Sequence, residues 1–102
     1  MRVVFLSLAV KDLASIREYI ASDDPEAAQR VASRLLQSVK RLAALPHLGK
    51  AGRVHGTREL VTPKVGKTSY VIVYRVKEEQ LQILRVLPGM RDIDRILEDE
   101  GN

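Results

Sequence analysis

A chain of 102 residues with 45% hydrophobic content is long enough for one compact core and too short for two, so one domain over 1–102 is expected. The absence of cysteine excludes disulfides, thiolate metal sites and a thiol nucleophile, and suits a reducing cytoplasm. The net charge of +4 is unevenly spread: residues 1–39 balance, residues 40–91 carry eleven bases against three acids, and residues 92–102 carry one base against five acids.

The first stretch, "RVVFLSL" (2–8), is β-branched and aromatic and reads as a strand. It lacks the apolar core of a signal peptide, and charge interrupts every apolar run within ten residues, so a soluble intracellular protein is expected. Ala9, Leu13, Ile16 and Ile20 then recur at helical spacing, which predicts an amphipathic helix over 9–21. "SDDPEAA" marks a stop and a restart. Asp24 can cap the free N–H groups of a new helix, Pro25 wastes no donor at its first position, and Glu26 complements the positive end of its dipole. Ala28, Val31, Ala32, Leu35, Val39 and Leu42 keep the 3.6 period to about Ala44, where Pro46 and Gly49 end it. Two helices joined by so short a link lie roughly antiparallel and can share one sheet.

Beyond the loop the period changes to two. "TRELVT" (57–62), "TSYVIVYRV" (68–76) and "LQILRVL" (81–87) read as strands, and their short polar connections favour an antiparallel meander. In the middle strand Tyr70, Ile72, Tyr74 and Val76 share one face, expected under the helices. Val71, Val73 and Arg75 share the other, expected to be open or covered by a partner. "RDIDRILEDE" predicts a short helical turn through Ile93, Ile96 and Leu97, followed by an acidic tail to residue 102. The fold class is thus α+β: an N-terminal strand, an α-helical hairpin and a three-stranded meander, with the helices on one sheet face.

Charge and polar residues bound the function. The basic middle calls for an acidic partner, nucleic acid or acidic polypeptide, or is a solvated surface. His47 and His55 stand eight apart across a glycine-containing loop, which is not a metal-ligand spacing. Arg58 and Glu59 are adjacent and must face opposite sides of a strand. Arg85, inside "ILRVL", must reach solvent, an acid or a ligand, because an unpaired charge in an apolar run is costly.

Taken together, "AVKDLASIREYI", "DDPEAAQRVASRLLQSVKRLAALPHLGKAGR", "TRELV", "YVIVYRV" and "ILRVLPGMRD" resemble, in order and spacing, the ParE branch of the RelE/ParE superfamily of bacterial toxins. The resemblance runs from Ala9 to about Asp92. It implies the toxin of a type II toxin–antitoxin pair, held inactive in a hetero-oligomer by a cognate antitoxin of ParD-like, ribbon-helix-helix type. RelE-like members cleave mRNA on the ribosome, ParE-like members poison DNA gyrase, and neither uses a cofactor or metal.

Metal-free RNA cleavage needs a base for the 2′-hydroxyl, a cation for the phosphorane charge and an acid for the leaving oxygen, all convergent. RelE-like nucleases carry a glycine–tyrosine–arginine pattern that lines up with Ser69, Tyr70 and Val71, so the phosphate-binding cation is missing here. Arg75 lies four residues along the strand, roughly 13 Å away, too far to substitute. Those nucleases also carry a histidine or tyrosine after the last strand, and Tyr74 is the last aromatic of this chain. Pro88 stands where the ParE pattern often has histidine. These absences favour a non-enzymatic toxin with no catalytic residue, no membrane contact and at most weak direct binding of nucleic acid, and the resemblance implies DNA gyrase as its target; the alternatives are a RelE-like ribosome-dependent mRNA endoribonuclease and a basic nucleic-acid-binding module. The candidate partner-binding residues are Arg58, Val71, Val73, Arg75, Arg85 and Arg91.

Overall fold

The computed structural model describes residues 1–100. In chain order it contains β1 (Arg2–Phe5), α1 (Ser7–Ala21), α2 (Pro25–Ala44), β2 (Lys50–Ala51), β3 (Arg58–Val61), β4 (Tyr70–Lys77), β5 (Gln80–Pro88) and α3 (Ile93–Glu100). The α+β class, the helical hairpin and the antiparallel β3–β4–β5 meander are as the sequence pattern predicts. The sheet is larger than the meander, with strand order β1-β5-β4-β3-β2. β1 lies parallel to β5, with Arg2 opposite Gln80 and Phe5 opposite Ile83, and the two-residue β2 extends the other edge.

The first strand is shorter than predicted and the first helix longer. The Leu6 N–H still bonds to the Ile83 carbonyl at 2.9 Å, but its own carbonyl already accepts from Val10. The chain therefore turns into helix one residue after the strand, without a side-chain cap. α2 starts as expected: the Asp24 carboxylate accepts from the Glu26 and Ala27 N–H groups, both at 3.1 Å, and Pro25 occupies the first turn. Such a cap contributes about 1 kcal/mol.

The two helices cover one sheet face. Ile16, Val31, Leu35, Val39 and Leu42 pack there against Tyr70, Ile72, Tyr74, Leu81, Ile83 and Val86. Ala32, expected on this stripe, is exposed instead. The opposite face requires a correction. Val71 and Val73 are 5% and 1% exposed, not open, because α3 lays Ile93 and Leu97 over them together with Leu87. The predicted helical turn is thus a full helix, and its apolar stripe covers Val71 and Val73, which the strand pattern leaves open or to a partner. The acidic tail's last two residues lie outside the described ones.

A β-bulge sits on this second face. The register pairs Val73 with Arg85 and the next residue, Tyr74, with Ile83, so Leu84 and Arg85 together oppose one residue of β4. Leu84 packs towards the α3 side, and Arg85 is left to turn elsewhere. At the other end of the hairpin Glu78 and Glu79 both adopt positive φ, 55° and 60°. A two-residue turn of the twist that suits antiparallel strands demands this backbone, although neither residue is glycine or asparagine.

Candidate functional site

Three polar clusters organise the surface, and each begins from a residue that the strand pattern buries. Tyr74 is fully buried beneath α2, so its hydroxyl needs partners. It donates to the Pro46 carbonyl at 2.8 Å and accepts from the Gly49 N–H at 2.8 Å, tying the loop after α2 to the sheet. Arg58 donates from Nη1 to the Gly49 carbonyl at 2.7 Å. Gly49 is required here, since a Cβ would stand 2.6 Å from the Tyr74 hydroxyl and 2.8 Å from the Glu59 carbonyl.

On the other face, β3 places Glu59 opposite Val73, where it is 3% exposed. Arg53 meets this acid with three N–H groups: Nε and the backbone N–H reach Oε2 at 2.9 Å each, and Nη2 reaches Oε1 at 2.8 Å. Its Nη1 extends to Asp94 of α3 at 3.0 Å. Burial alone would push the Glu59 carboxyl up, but the Arg53 hydrogen bonds and charge outweigh it and hold the carboxyl below its ordinary value. The same contacts push the Arg53 guanidinium up.

The third cluster answers where Arg85 goes. β1 ends at Phe5, so the edge of β5 beyond Ile83 is free for α1. Asp12 accepts there from Arg85 Nε at 2.7 Å, from Arg85 Nη2 at 2.8 Å and from the Val86 N–H at 2.9 Å. Of the three outcomes open to this charge, the acid is the one realised, with both side chains 12% exposed.

This pair forms part of the wall of a cleft of about 830 Å³ between α1, the start of α2, the 65–68 turn and the end of β5. Tyr70 lines it from the sheet, and Tyr19, Met90, Arg30 and Arg91 line it nearer the solvent. A second, smaller groove of about 340 Å³ runs along the hairpin past Val10, Ala14, Ala32 and Leu36.

The six predicted partner-binding residues are therefore not one site. Val71 and Val73 are covered, Arg85 is bound to Asp12, and Arg58 holds the loop after α2. Arg75 is half-buried and donates from Nε to Gln82 Oε1 at 2.6 Å, whereas Arg91 is exposed, and its side chain meets no partner among the described residues. His47 and His55 are exposed, and no group of metal-ligating side chains occurs among the described residues. The pattern did not single out Asp12, Arg53 or the tyrosine hydroxyls. One signal was available: Glu59 alternates onto the same face as Val73, and an acid on an apolar face requires a cation.

The fold and these surfaces define a RelE/ParE-type toxin: a small basic protein with a helical hairpin on a mixed sheet. The sequence model of one family, described as the ParE toxin of the type II toxin–antitoxin system parDE, matches residues 3–93, and the chain belongs to that family. It is 35% identical over 96 residues to "Putative toxin Y4kP" of Sinorhizobium fredii, covering 94% of this chain and 96% of that one. It is also 35% identical over 90 residues to Toxin RelE2 of Caulobacter vibrioides, covering 88% and 97%. Among solved structures, a chain of a chromosomal ParDE system from P. aeruginosa superposes with a TM-score of 0.73 at 27% identity, over 86% of this chain and 95% of that one.

Proposed function

We propose that this ParE-family toxin acts on DNA gyrase without catalysis of its own and is neutralised by a cognate ribbon-helix-helix antitoxin. One observation carries the choice against mRNA cleavage. Position 71, where RelE-like nucleases have a phosphate-binding arginine, is a valine sealed beneath α3. Arg85 does not fill the gap, since its Nε and Nη2 are engaged by Asp12. The test is a supercoiling assay run beside translating ribosomes. The proposal expects loss of supercoiling or trapped cleaved DNA, with message left intact.

The similarity to Toxin RelE2 supports a second reading, a ribosome-dependent endoribonuclease. Cuts at defined codon positions, with gyrase unaffected, would establish it and sink the first.

An antitoxin segment is supported by what the chain leaves uncovered. Val10 and Leu36 are 53% and 52% exposed along the hairpin groove, and Arg75 and Arg91 offer charge to an acidic segment. Reversing Arg75 or Arg91 to Glu is expected to weaken antitoxin binding more than reversing Lys11 or Arg34. Equal effects at all four would place the bound segment away from these arginines.

A further inference from the structure

We propose that the 830 Å³ cleft is a binding site for a small amphiphilic carboxylate, an apolar chain ending in one anionic group. This goes beyond the toxin reading and is independent of which target the toxin has. The first support is Tyr70. The residue is 4% exposed, and its backbone N–H is already used by the Thr62 hydroxyl at 2.9 Å. Its own hydroxyl meets no partner among the described residues, yet no fully sealed side-chain oxygen lacks one, so this hydroxyl opens into the cleft that Tyr70 lines. Tyr74, on the same face of the strand, makes two hydrogen bonds through the equivalent group. Burial raises the pKa of Tyr70, so the phenol keeps its proton and is a donor in want of an acceptor.

Charge is the second support. Asp12 faces the cleft, but it accepts three N–H groups from Arg85 and Val86. Arg91 has no side-chain partner among the described residues, and Arg30 comes only within 4.0 Å of Asp24 with both over half exposed. The unspent charge of the cleft is positive. The register sets Tyr70 opposite Pro88, and Arg91 follows in the turn that ends with its N–H on the Pro88 carbonyl, so both lining residues are anchored at the same end of β5. A carboxylate there can accept from both.

The remaining walls choose the rest of the ligand. Ile16, Ile20, Val31, Val65 and Val86 are aliphatic, and they would leave the hydroxyls of a sugar unpaired. The volume falls within the roughly 300–1,000 Å³ typical of small-molecule sites. A slender chain reaches a residue as buried as Tyr70, whereas a helix about 10 Å across does not.

The test is titration of the full chain with sodium decanoate below its micellar concentration, followed by amide chemical shifts. Saturable shifts centred on Gly66, Thr68, Tyr70 and Arg91 are expected. Tyr70→Phe should weaken binding about tenfold, the loss of a hydrogen bond to an ionised acceptor, and Arg91→Gln about tenfold, the loss of a donor that is itself charged. Decanol should bind more weakly than decanoate, and Arg34→Gln should change nothing. Because the Tyr70 hydroxyl makes no bond to the described residues, Tyr70→Phe is expected to fold with an unchanged urea midpoint, so its loss of affinity is readable. Three results overturn the proposal: no saturable binding, equal affinity of the wild type and both cleft variants, or shifts confined to the Val10–Leu36 groove. Binding of an acidic apolar peptide in the cleft without binding of decanoate overturns it too, in favour of a polypeptide occupant.

Discussion

At the scale of single residues, two tyrosines four positions apart on β4 make opposite demands on their surroundings. The Tyr74 hydroxyl holds Pro46 and Gly49, and Tyr74→Phe would leave a buried N–H and a carbonyl unpaired. The expected cost is about 1–3 kcal/mol, read as a lower urea midpoint at unchanged m-value. Tyr70→Phe removes no bond to the described residues and should stay within ~0.5 kcal/mol of wild type. Glu59 gives a pH-dependent counterpart. Its carboxyl is held below the ordinary value, so its contribution is present above about pH 4.5 and is lost as pH falls through the depressed folded-state value. Glu59→Gln should therefore destabilise by about 1.5–3 kcal/mol at pH 7. Below pH 4.5 the gap between variant and wild type should close. A gap that persists unchanged to pH 3 would show that the Arg53 contacts do not depend on the charge of Glu59.

At the scale of elements, the tight β4–β5 turn and α3 make the sharpest predictions. Glu78 and Glu79 occupy the left-handed region, which side chains other than glycine enter at a cost. Glu79→Gly relieves that cost, offset in part by a more flexible unfolded chain, and should raise stability by roughly 0.5–1 kcal/mol. Leu97 is 5% exposed over Val71 and Val73. Leu97→Ala should cost about 2–5 kcal/mol and increase binding of a hydrophobic dye, because it opens the second sheet face.

These elements also show what was legible in the sequence. The capped start of α2 was readable because Asp24 and Pro25 act on their immediate neighbours. The meander was readable because its turns are short. The parallel pairing of β1 was not, since nothing in "RVVF" names a partner almost eighty residues away. The cover over Val71 and Val73 was missed for a related reason: the stripe Ile93, Ile96 and Leu97 was seen, but a two-turn helix gives no sign of the face on which it docks. For the site, the strand pattern located Arg85 and stated its need correctly. Its acid lies 73 residues back on α1, beyond the reach of any local rule.

At the scale of the whole molecule, the charge separation along the chain is partly neutralised in space. Asp94, from the acidic end, lies against Arg53 of the basic middle, and Asp12 lies against Arg85. Among the described residues no helix is long and apolar enough to cross a membrane. Direct binding to duplex DNA is expected to be weak and to vanish at physiological salt, with a log–log slope near −0.9 per phosphate neutralised. Tight, sequence-selective binding by the isolated chain would instead identify a nucleic-acid module.

The parallel pairing of β1 with β5 has a kinetic meaning. The β4–β5 hairpin closes through contacts only a few residues apart, a microsecond-scale event for an isolated hairpin. The edge strand must wait for partners at residues 80–83, with both helices looped out in between. Long loop closures of this kind slow folding. During synthesis, β1, α1 and α2 emerge before the strands they pack on exist, so Val3, Phe5 and the hairpin's apolar stripe stay exposed until β5 has left the ribosome. The nascent chain therefore stays unfinished until its last strand is made, and for that interval its apolar surface is open to anything translated beside it.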